Sequence, residues 1–291
     1  MTAGGEVVVT PTMLRDWPLP ATDTVSKNGR GRVLIIGGAR STPGGVVLAG
    51  LAALRVGAGV LAMAVARSVA APLAVAFPEA AVIGLPETAD GAVRGRGIRR
   101  LADRLTNADA VLIGSGLDDA AHTTDLVHAV IPLIGACVPI VLDAFALGVL
   151  ADVPEAKQLA GRLVLTPNLD EVERLVDRDV TKDQLSEALA EIADRYQAVV
   201  SCYHHIAHSD GRRWQTSTGS AGLGTSGSGD VRAGTITGLL ARGADTAQAA
   251  CWGTHLHATA GDRLASQIGP TGYLARELTG QLPIVLSELS A

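Results

Sequence analysis

The residues with the most chemistry in them lie in one run, Gly222-Leu223-Gly224-Thr225-Ser226-Gly227-Ser228-Gly229-Asp230-Val231-Arg232-Ala233-Gly234. Glycines at 222, 224, 227 and 229 let main-chain N–H groups turn toward one point with no Cβ in the way. A helix starting here adds unpaired N–H donors and the positive end of its dipole, which together make an anion site suited to a phosphoryl group. Asp230 stands at the mouth of that site. A carboxylate beside bound phosphate is electrostatically unfavourable unless it accepts a proton from an attacking hydroxyl, as phosphoryl transfer to an alcohol requires. The alternative is that Asp230 is an N-cap and the glycines form a flexible loop. The run is not a Walker loop, because no Gly-Lys-Ser/Thr follows it. Gly37 to Gly45 lacks GxGxxG spacing, and no acidic residue stands where a dinucleotide fold would hold a ribose, so a Rossmann dehydrogenase is disfavoured.

Other groups carry weaker signals. On a strand, His204 and His208 share a face and His205 points away, with no acidic or Cys partner at ligand spacing, so no metal site is expected. Cys251 and His255 lie one helical turn apart, which helix packing explains. Asp143, at the carboxyl end of an apolar run, is placed either to order a magnesium-bound water or to cap a helix. Glu171, in Asn168-Leu169-Asp170-Glu171, divides equally between function and half of a capping arrangement. Cys137, Cys202 and Cys251 form no CxxC pair, so neither a disulfide framework nor a zinc knuckle is indicated, and Cys202 reads as a buried thiol.

The elements that must position these groups alternate. Val33 to Ile36, Val60 to Val65, Ala80 to Ile83, Ala110 to Ile113, Ile140 to Leu142, Leu163 to Leu165 and Ala198 to Val200 are apolar on both faces, as strands of a buried parallel sheet must be. Helices are expected over Val46 to Arg55, Ile98 to Leu105, Thr123 to Ile134, Asp170 to Val176 and Gln184 to Tyr196. Ile206 to Ser209 and Arg213 to Thr216 read as a hairpin turning at Asp210-Gly211. Helices over Asp230 to Leu240 and Ala247 to Leu264 follow. The pattern predicts an α/β three-layer sandwich, with a mostly parallel central sheet, an antiparallel edge, and helices on both faces. No linker or repeat divides the chain, so residues 1–291 read as a single domain, with residues 1–16 an irregular N-terminal extension.

Composition excludes several classes. The 291 residues are 47% hydrophobic and 18% charged, which rules out a disordered chain. Lys plus Arg total 24 and Asp plus Glu 29, for a net charge of −5, with no basic run, so nucleic acid is not an expected partner. Two Phe, three Trp and three Tyr are too few for a stacking platform. The longest apolar stretch, Gly44 to Ala66, contains Arg55 and the break Gly57-Ala58-Gly59, so it reads as helix then strand and no membrane span is expected. The N-terminal residues lack a basic leader segment, and a reducing cytosol is the expected compartment. Ala-rich apolar helices favour a homo-oligomer.

In order along residues 17 to 279, the motifs resemble those of the ADP- or ATP-dependent NAD(P)H-hydrate dehydratases, in the ribokinase-like superfamily. Val33-Leu34-Ile35-Ile36-Gly37-Gly38 resembles the family's opening strand, and Pro43 to Gly50 with Ala53 to Gly59 its first helix. Phe77-Pro78-Glu79 resembles its Pro-Glu step. Ile113-Gly114-Ser115-Gly116-Leu117 is similar to its Gly-Pro-Gly-Leu turn, with Ser115 in place of Pro. Asp143 to Leu147 resembles Asp-Ala-Asp-Ala-Leu, Thr166 to Glu171 resembles Thr-Pro-His-x-Gly-Glu, and His257 to Asp262 resembles a late helix. Gly222 to Gly234 resembles Gly-Met-Ala-Thr-Gly-Gly-Thr-Gly-Asp-Val-Leu-Ala-Gly.

The resemblance implies repair of nicotinamide cofactors hydrated at C6. ADP or ATP, with Mg²⁺, phosphorylates the C6 hydroxyl, and phosphate then leaves. It implies Asp230 as the base and Gly227, Ser228 and Gly229 as holders of the transferred phosphoryl. It places Gly45, Gly116, Asn168 and Asp230 against the hydrate, and Ser201, Cys202, Tyr203, His204 and His205 along the nucleotide. The chain departs from the pattern at positions that bear on the site. Ser115 replaces Pro, Asn168 replaces His, Arg232 replaces Leu, and Ser201 to His205 replaces Lys-Gly-x-x-Thr, which leaves His204, His205 or Arg232 as candidates to supply the lost charge. The rival expectations are an ATP-dependent small-molecule alcohol kinase and a degenerate nucleotide-binding protein.

Overall fold

Short strands and helices alternate through the computed structural model, which describes residues 5–21 and 26–290. In chain order they are β1 (Val7–Val9), α1 (Pro11–Asp16), β2 (Arg32–Ile36), α2 (Gly44–Arg55), β3 (Val60–Ala66), α3 (Arg67–Ala76), β4 (Ala80–Leu85), α4 (Ala102–Asn107), β5 (Ala110–Ile113), α5 (Ala120–Val130), β6 (Ile140–Leu142), α6 (Phe145–Gly148), β7 (Leu163–Leu165), α7 (Leu169–Val176), α8 (Leu185–Tyr196), β8 (Ala198–Cys202), β9 (His205–His208), β10 (Arg213–Thr216), α9 (Ser228–Ala241), α10 (Thr246–Gln267) and α11 (Ala275–Ser290). The strands form one sheet in the order β1-β10-β9-β8-β7-β6-β5-β2-β3-β4. Only β9 runs against its neighbours. β10 and β1 beyond it are parallel to each other, with Val8 paired to Gln215.

Alternation along each strand feeds two cores, one per face of the sheet. Val33 and Ile35 join α2, α9, α10 and α11 on one face. Leu34 and Ile36 join α4 to α8 on the other. That double burial is why these strands read as unbroken apolar runs. Among the described residues, no helix is long and apolar enough to cross a membrane.

The strand order fixes where a ligand can sit. β3 and β4 extend the sheet to one side of β2, and β5 to β8 extend it to the other. The chain therefore diverges at the carboxyl ends of β2 and β5, the switch point at which open α/β sheets bind ligands. Two helices are pressed together beside that point. A methyl group on Gly234 of α9 would lie 2.1 Å from the Ala49 carbonyl oxygen of α2. No larger residue permits so close an approach.

Some elements differ from expectation. Residues 7–16, read as irregular, hold β1 and α1. The β-branched Val7–Val9 finds a partner in Trp214 to Thr216, and Thr10 caps a helix whose first residue is Pro11. Trp252 and Gln248 of α10 donate to the Trp17 carbonyl at 2.9 and 3.1 Å and tie this segment down. Residues 1–4 lie outside the described residues. Helix α3 was not anticipated, because Pro72 interrupts its pattern and no side chain caps it. Nor was α11, which carries Pro283.

Gly234→Ala is expected to force α2 and α9 apart and cost about 1–3 kcal/mol, read as a lowered midpoint of urea unfolding. Gly280→Ala, in α11 where a methyl meets nothing within 4 Å, is expected to raise stability by about 0.5–1 kcal/mol in the same experiment.

Candidate active site

The loops after β2 and β5 are laced together at the switch point. Gly38 and Ala39 amides donate to the Ser115 and Gly116 carbonyls at 2.9 and 2.7 Å. The Thr42 hydroxyl donates to the Gly116 carbonyl at 2.9 Å. Gly116 has φ of +70°, and a methyl there would lie 2.2 Å from the Thr42 carbonyl oxygen, so this turn requires glycine. Helix α9 aims its first turn at these loops. A methyl on Gly45 would lie 2.8 Å from Asp230 Oδ1 and 3.0 Å from the Gly116 amide nitrogen. Gly45, Gly116 and Asp230, far apart in sequence, thus meet at one spot.

Asp230 is the third residue of α9, and the N-cap is Gly227, with φ of +87° and no side chain to bond the first turn. The alternative that Asp230 caps the helix is therefore not what the chain does. The Ser228 amide donates to the Thr225 carbonyl at 3.1 Å, whereas the Gly229 amide finds no partner among the described residues. A methyl on Gly229 would meet open space. An unpaired amide at a helix N-terminus, open to solvent and beside a carboxylate, fits a phosphoryl oxygen. The Ser228 hydroxyl faces His257 Nε2 at 2.8 Å. Burial, and then the Arg232 charge, push the His257 pKa down to about 3, so that imidazole is neutral.

Asp230 does not ionise freely. Desolvation first, and the nearby Asp143 carboxylate second, push its pKa up to about 7. Asp143 is buried, and desolvation raises its pKa as well. Its oxygens accept from the Thr166 hydroxyl at 2.7 Å and the Ser115 hydroxyl at 3.4 Å. It caps no helix, since Ala144 occupies the N-cap of α6. Asn168 and Glu171 form a reciprocal capping box on α7, both bonds 2.9 Å long, which accounts for the capping expectation. Burial raises the Glu171 pKa, and so does the Asp143 charge.

The Ser201 to His205 segment diverges. The Ser201 hydroxyl turns to Thr254 Oγ1 at 2.8 Å under α10. Cys202 is buried on the other face, its thiol pushed up to about 12 by desolvation. His205 Nδ1 lies 3.0 Å from Glu6 Oε1. Strand alternation sends Ser201 and Cys202 to opposite faces, and His205, cross-strand from Cys202, is engaged by Glu6. Tyr203, at a turn with φ of +50°, is exposed, and His204 Nδ1 meets the Thr218 carbonyl at 3.0 Å beside the glycine loop. Arg232, a candidate replacement for the absent lysine, is buried, and its Nη2 donates to the Thr166 and Pro167 carbonyls at 3.0 and 3.2 Å. Ser115 and Thr166 were not anticipated. Their signal is polar side chains in the two glycine- and proline-rich turns that flank Asp143.

Comparison with known proteins shows the family. A family model described as NAD(P)H-hydrate dehydratase matches residues 33–283. An ADP-dependent (S)-NAD(P)H-hydrate dehydratase of Xanthomonas campestris is 44% identical over 97% of this chain and 96% of that protein. A bifunctional NAD(P)H-hydrate repair enzyme of Moorella thermoacetica is 39% identical over 89% of this chain, which spans about half, 50%, of that longer protein. The crystal structure of the ADP/ATP-dependent NAD(P)H-hydrate dehydratase of Bacillus subtilis, co-crystallised with ATP and Mg²⁺, superposes with a TM-score of 0.81 at 27% identity, covering 99% of this chain and 100% of that one. The fold is ribokinase-like. With its motifs in order and a carboxylate at the switch point, the chain belongs to the NAD(P)H-hydrate dehydratase family.

Proposed function

We propose that the protein dehydrates hydrated NADH and NADPH in a reaction driven by ADP or ATP. The observation that carries this is the position of Asp230, beside Gly45 where Gly45 faces Gly116 and one residue from the open Gly229 amide. The C6 hydroxyl gives its proton to Asp230, and its oxygen attacks the terminal phosphorus of the nucleotide. One P–O bond forms and the bond to the remaining nucleotide breaks. Phosphate, a better leaving group than hydroxide, then departs from C6 with the bonding electrons, pushed by the ring-nitrogen lone pair. Loss of a proton from C5 restores the double bond.

Each part of the site has a role in this reading. The Gly227 to Gly229 turn and the α9 dipole stabilise charge on the transferred group, chiefly through the Gly229 amide. Gly45 and Gly116 let the loops close on the Asp230 carboxyl where the hydrated ring would meet it, and Asn168, at the exposed start of α7, bounds the substrate side. Along the nucleotide, Tyr203 and His204 are the side chains of the Ser201 to His205 segment that remain available. Among the described residues, no group of three or more His, Cys, Asp or Glu is arranged to hold a metal ion. Magnesium would therefore arrive on the nucleotide phosphates, where it neutralises charge. We read the protein as one domain, its two cores lying on two faces of one sheet. The reading also makes it cytosolic and homo-oligomeric, with exposed Val75, Phe145, Ile268 and Ile284 available for self-association.

Incubated with hydrated NADH and ADP or ATP, the protein is expected to restore the reduced-nicotinamide absorbance; nucleotide turnover on other alcohols alone would point to a kinase instead. Asp230→Asn is expected to lower kcat by about 10²-fold or more. Because Asp230 must be ionised to accept a proton, activity is expected to rise with pH through about 7. The same raised pKa has a stability consequence. Between the ordinary carboxyl range and about 7 the folded protein keeps a proton that the unfolded chain loses, so stability falls as pH rises. Asp230→Asn removes that loss, and its Tm is expected to exceed wild type at pH 8 and to approach it at pH 4.

A further inference from the structure

Two departures from the resembled motifs, Ser115 and Arg232, meet in one buried network. Arg232 is 7% exposed and lies near the start of α9, where the helix dipole disfavours a cation. None of the ion pairs among the described residues includes it. Its Nη2 binds the Thr166 and Pro167 carbonyls, and its Nε is buried without a partner. The Thr166 hydroxyl donates in turn to Asp143 Oδ1, and the Ser115 hydroxyl donates to Asp143 Oδ2 at 3.4 Å. The next residue, Gly116, shares the Gly45 contact with Asp230 Oδ1, so Asp230 stands beside Ser115, whose hydroxyl holds the Asp230 pKa down. The hydrogen-bonded chain runs Arg232–Thr166–Asp143–Ser115 and ends beside Asp230, two residues from where it left α9.

The charges that face this network come from four elements and the strand end. Asp143 follows β6, Glu171 is on α7, and Asp230 and Arg232 are on α9. His257 on α10 and Cys202 on β8 both face Arg232, and both are neutral. Arg232 is thus the buried cation set against three acids, and Arg174, exposed on α7, also acts on Glu171. The Ser115 hydroxyl carries a single proton, so it can donate to only one of the two carboxyls at a time. One hydroxyl beside two carboxyls can set the orientation of one against the other. Proline at 115 would offer no donor at all.

We propose that Ser115 and Arg232 are positioning residues for the proton-accepting carboxyl of Asp230: Ser115 fixes its orientation against Asp143, and Arg232, through Thr166, fixes Asp143. The proposal rests on Asp230 being the base. Neither residue touches substrate, and neither is needed for the phosphoryl cradle.

The test compares Ser115→Ala, Ser115→Thr, Arg232→Leu and the double variant Ser115→Ala/Arg232→Leu. Dehydration kinetics across pH are recorded beside carbon-13 NMR titration of the Asp230 carboxyl. Ser115→Ala is expected to lower kcat roughly tenfold with KM within about twofold, and to move the acidic limb and the Asp230 titration to higher pH. The sign follows because a donor to the ionised carboxyl has been removed. Ser115→Thr, which keeps the hydroxyl, is expected to restore most of kcat. Arg232→Leu is expected to lower kcat, and the double variant to lose no more than the worse single one. An unchanged kcat and unchanged titration in Ser115→Ala would overturn the proposal, as would losses that multiply in the double variant. If Arg232→Leu fails to fold, the two Ser115 variants still decide. If the wild type shows no dehydration, the reaction assigned above fails, and the Asp230 titration alone then judges the Ser115 bridge.

Discussion

Everything at the site depends on how closely α9 lies against α2. Gly234 has no side chain, so the helix rests on the Ala49 carbonyl. That contact sets how far the start of α9 reaches over the carboxyl ends of β2 and β5. With α9 seated this way, Asp230 arrives beside Gly45 and Gly116, and the unpaired Gly229 amide opens on the same side. The glycines at 45 and 116 serve the same end, since a side chain at 45 would collide with the carboxylate or the facing loop. Small residues here are therefore spacing elements, and the chemistry follows from the spacing.

The charge balance around Asp230 follows from burial. Three carboxyl groups crowd one end of the sheet, and desolvation makes each harder to ionise. In water such a group would be ionised and weakly basic. Brought close to neutrality by its surroundings, Asp230 can take a proton at ordinary pH and still be returned to its ionised form. The cost is a site that opposes its own folding as pH rises, which is typical of places where function overrides stability. Arg232 offsets part of that burden from within the core, and a strand-end threonine carries its effect to Asp143.

Much of the fold was legible because it depends on local pattern. Runs such as Val33 to Ile36 are apolar on both faces because both faces are buried, and that is written in the residues themselves. The turn into α9 within the glycine run at 222 to 234 was legible for the same reason, since a helix start is built from contiguous chain. Elements that depend on distant partners were not. Val7–Val9 becomes a strand only because Trp214 to Thr216 leaves an edge for it. Ser115 acquires meaning only when Asp143 and Asp230 are folded against it. Ser201, Cys202 and His205 look like one segment in sequence, yet the pleat of the strand and the Glu6 contact send them to different surroundings. Motif order thus identifies the family, while which side chains face one another needs three dimensions.

The most direct measurement is a crystal structure of this protein with a non-hydrolysable ATP analogue. The account predicts an oxygen of the terminal phosphate within about 3.2 Å of the Gly229 amide nitrogen, with the Asp230 carboxyl facing the cavity bounded by Gly45 and Gly116. A terminal phosphate bound away from the start of α9, with Asp230 still packed against Gly45, would contradict it.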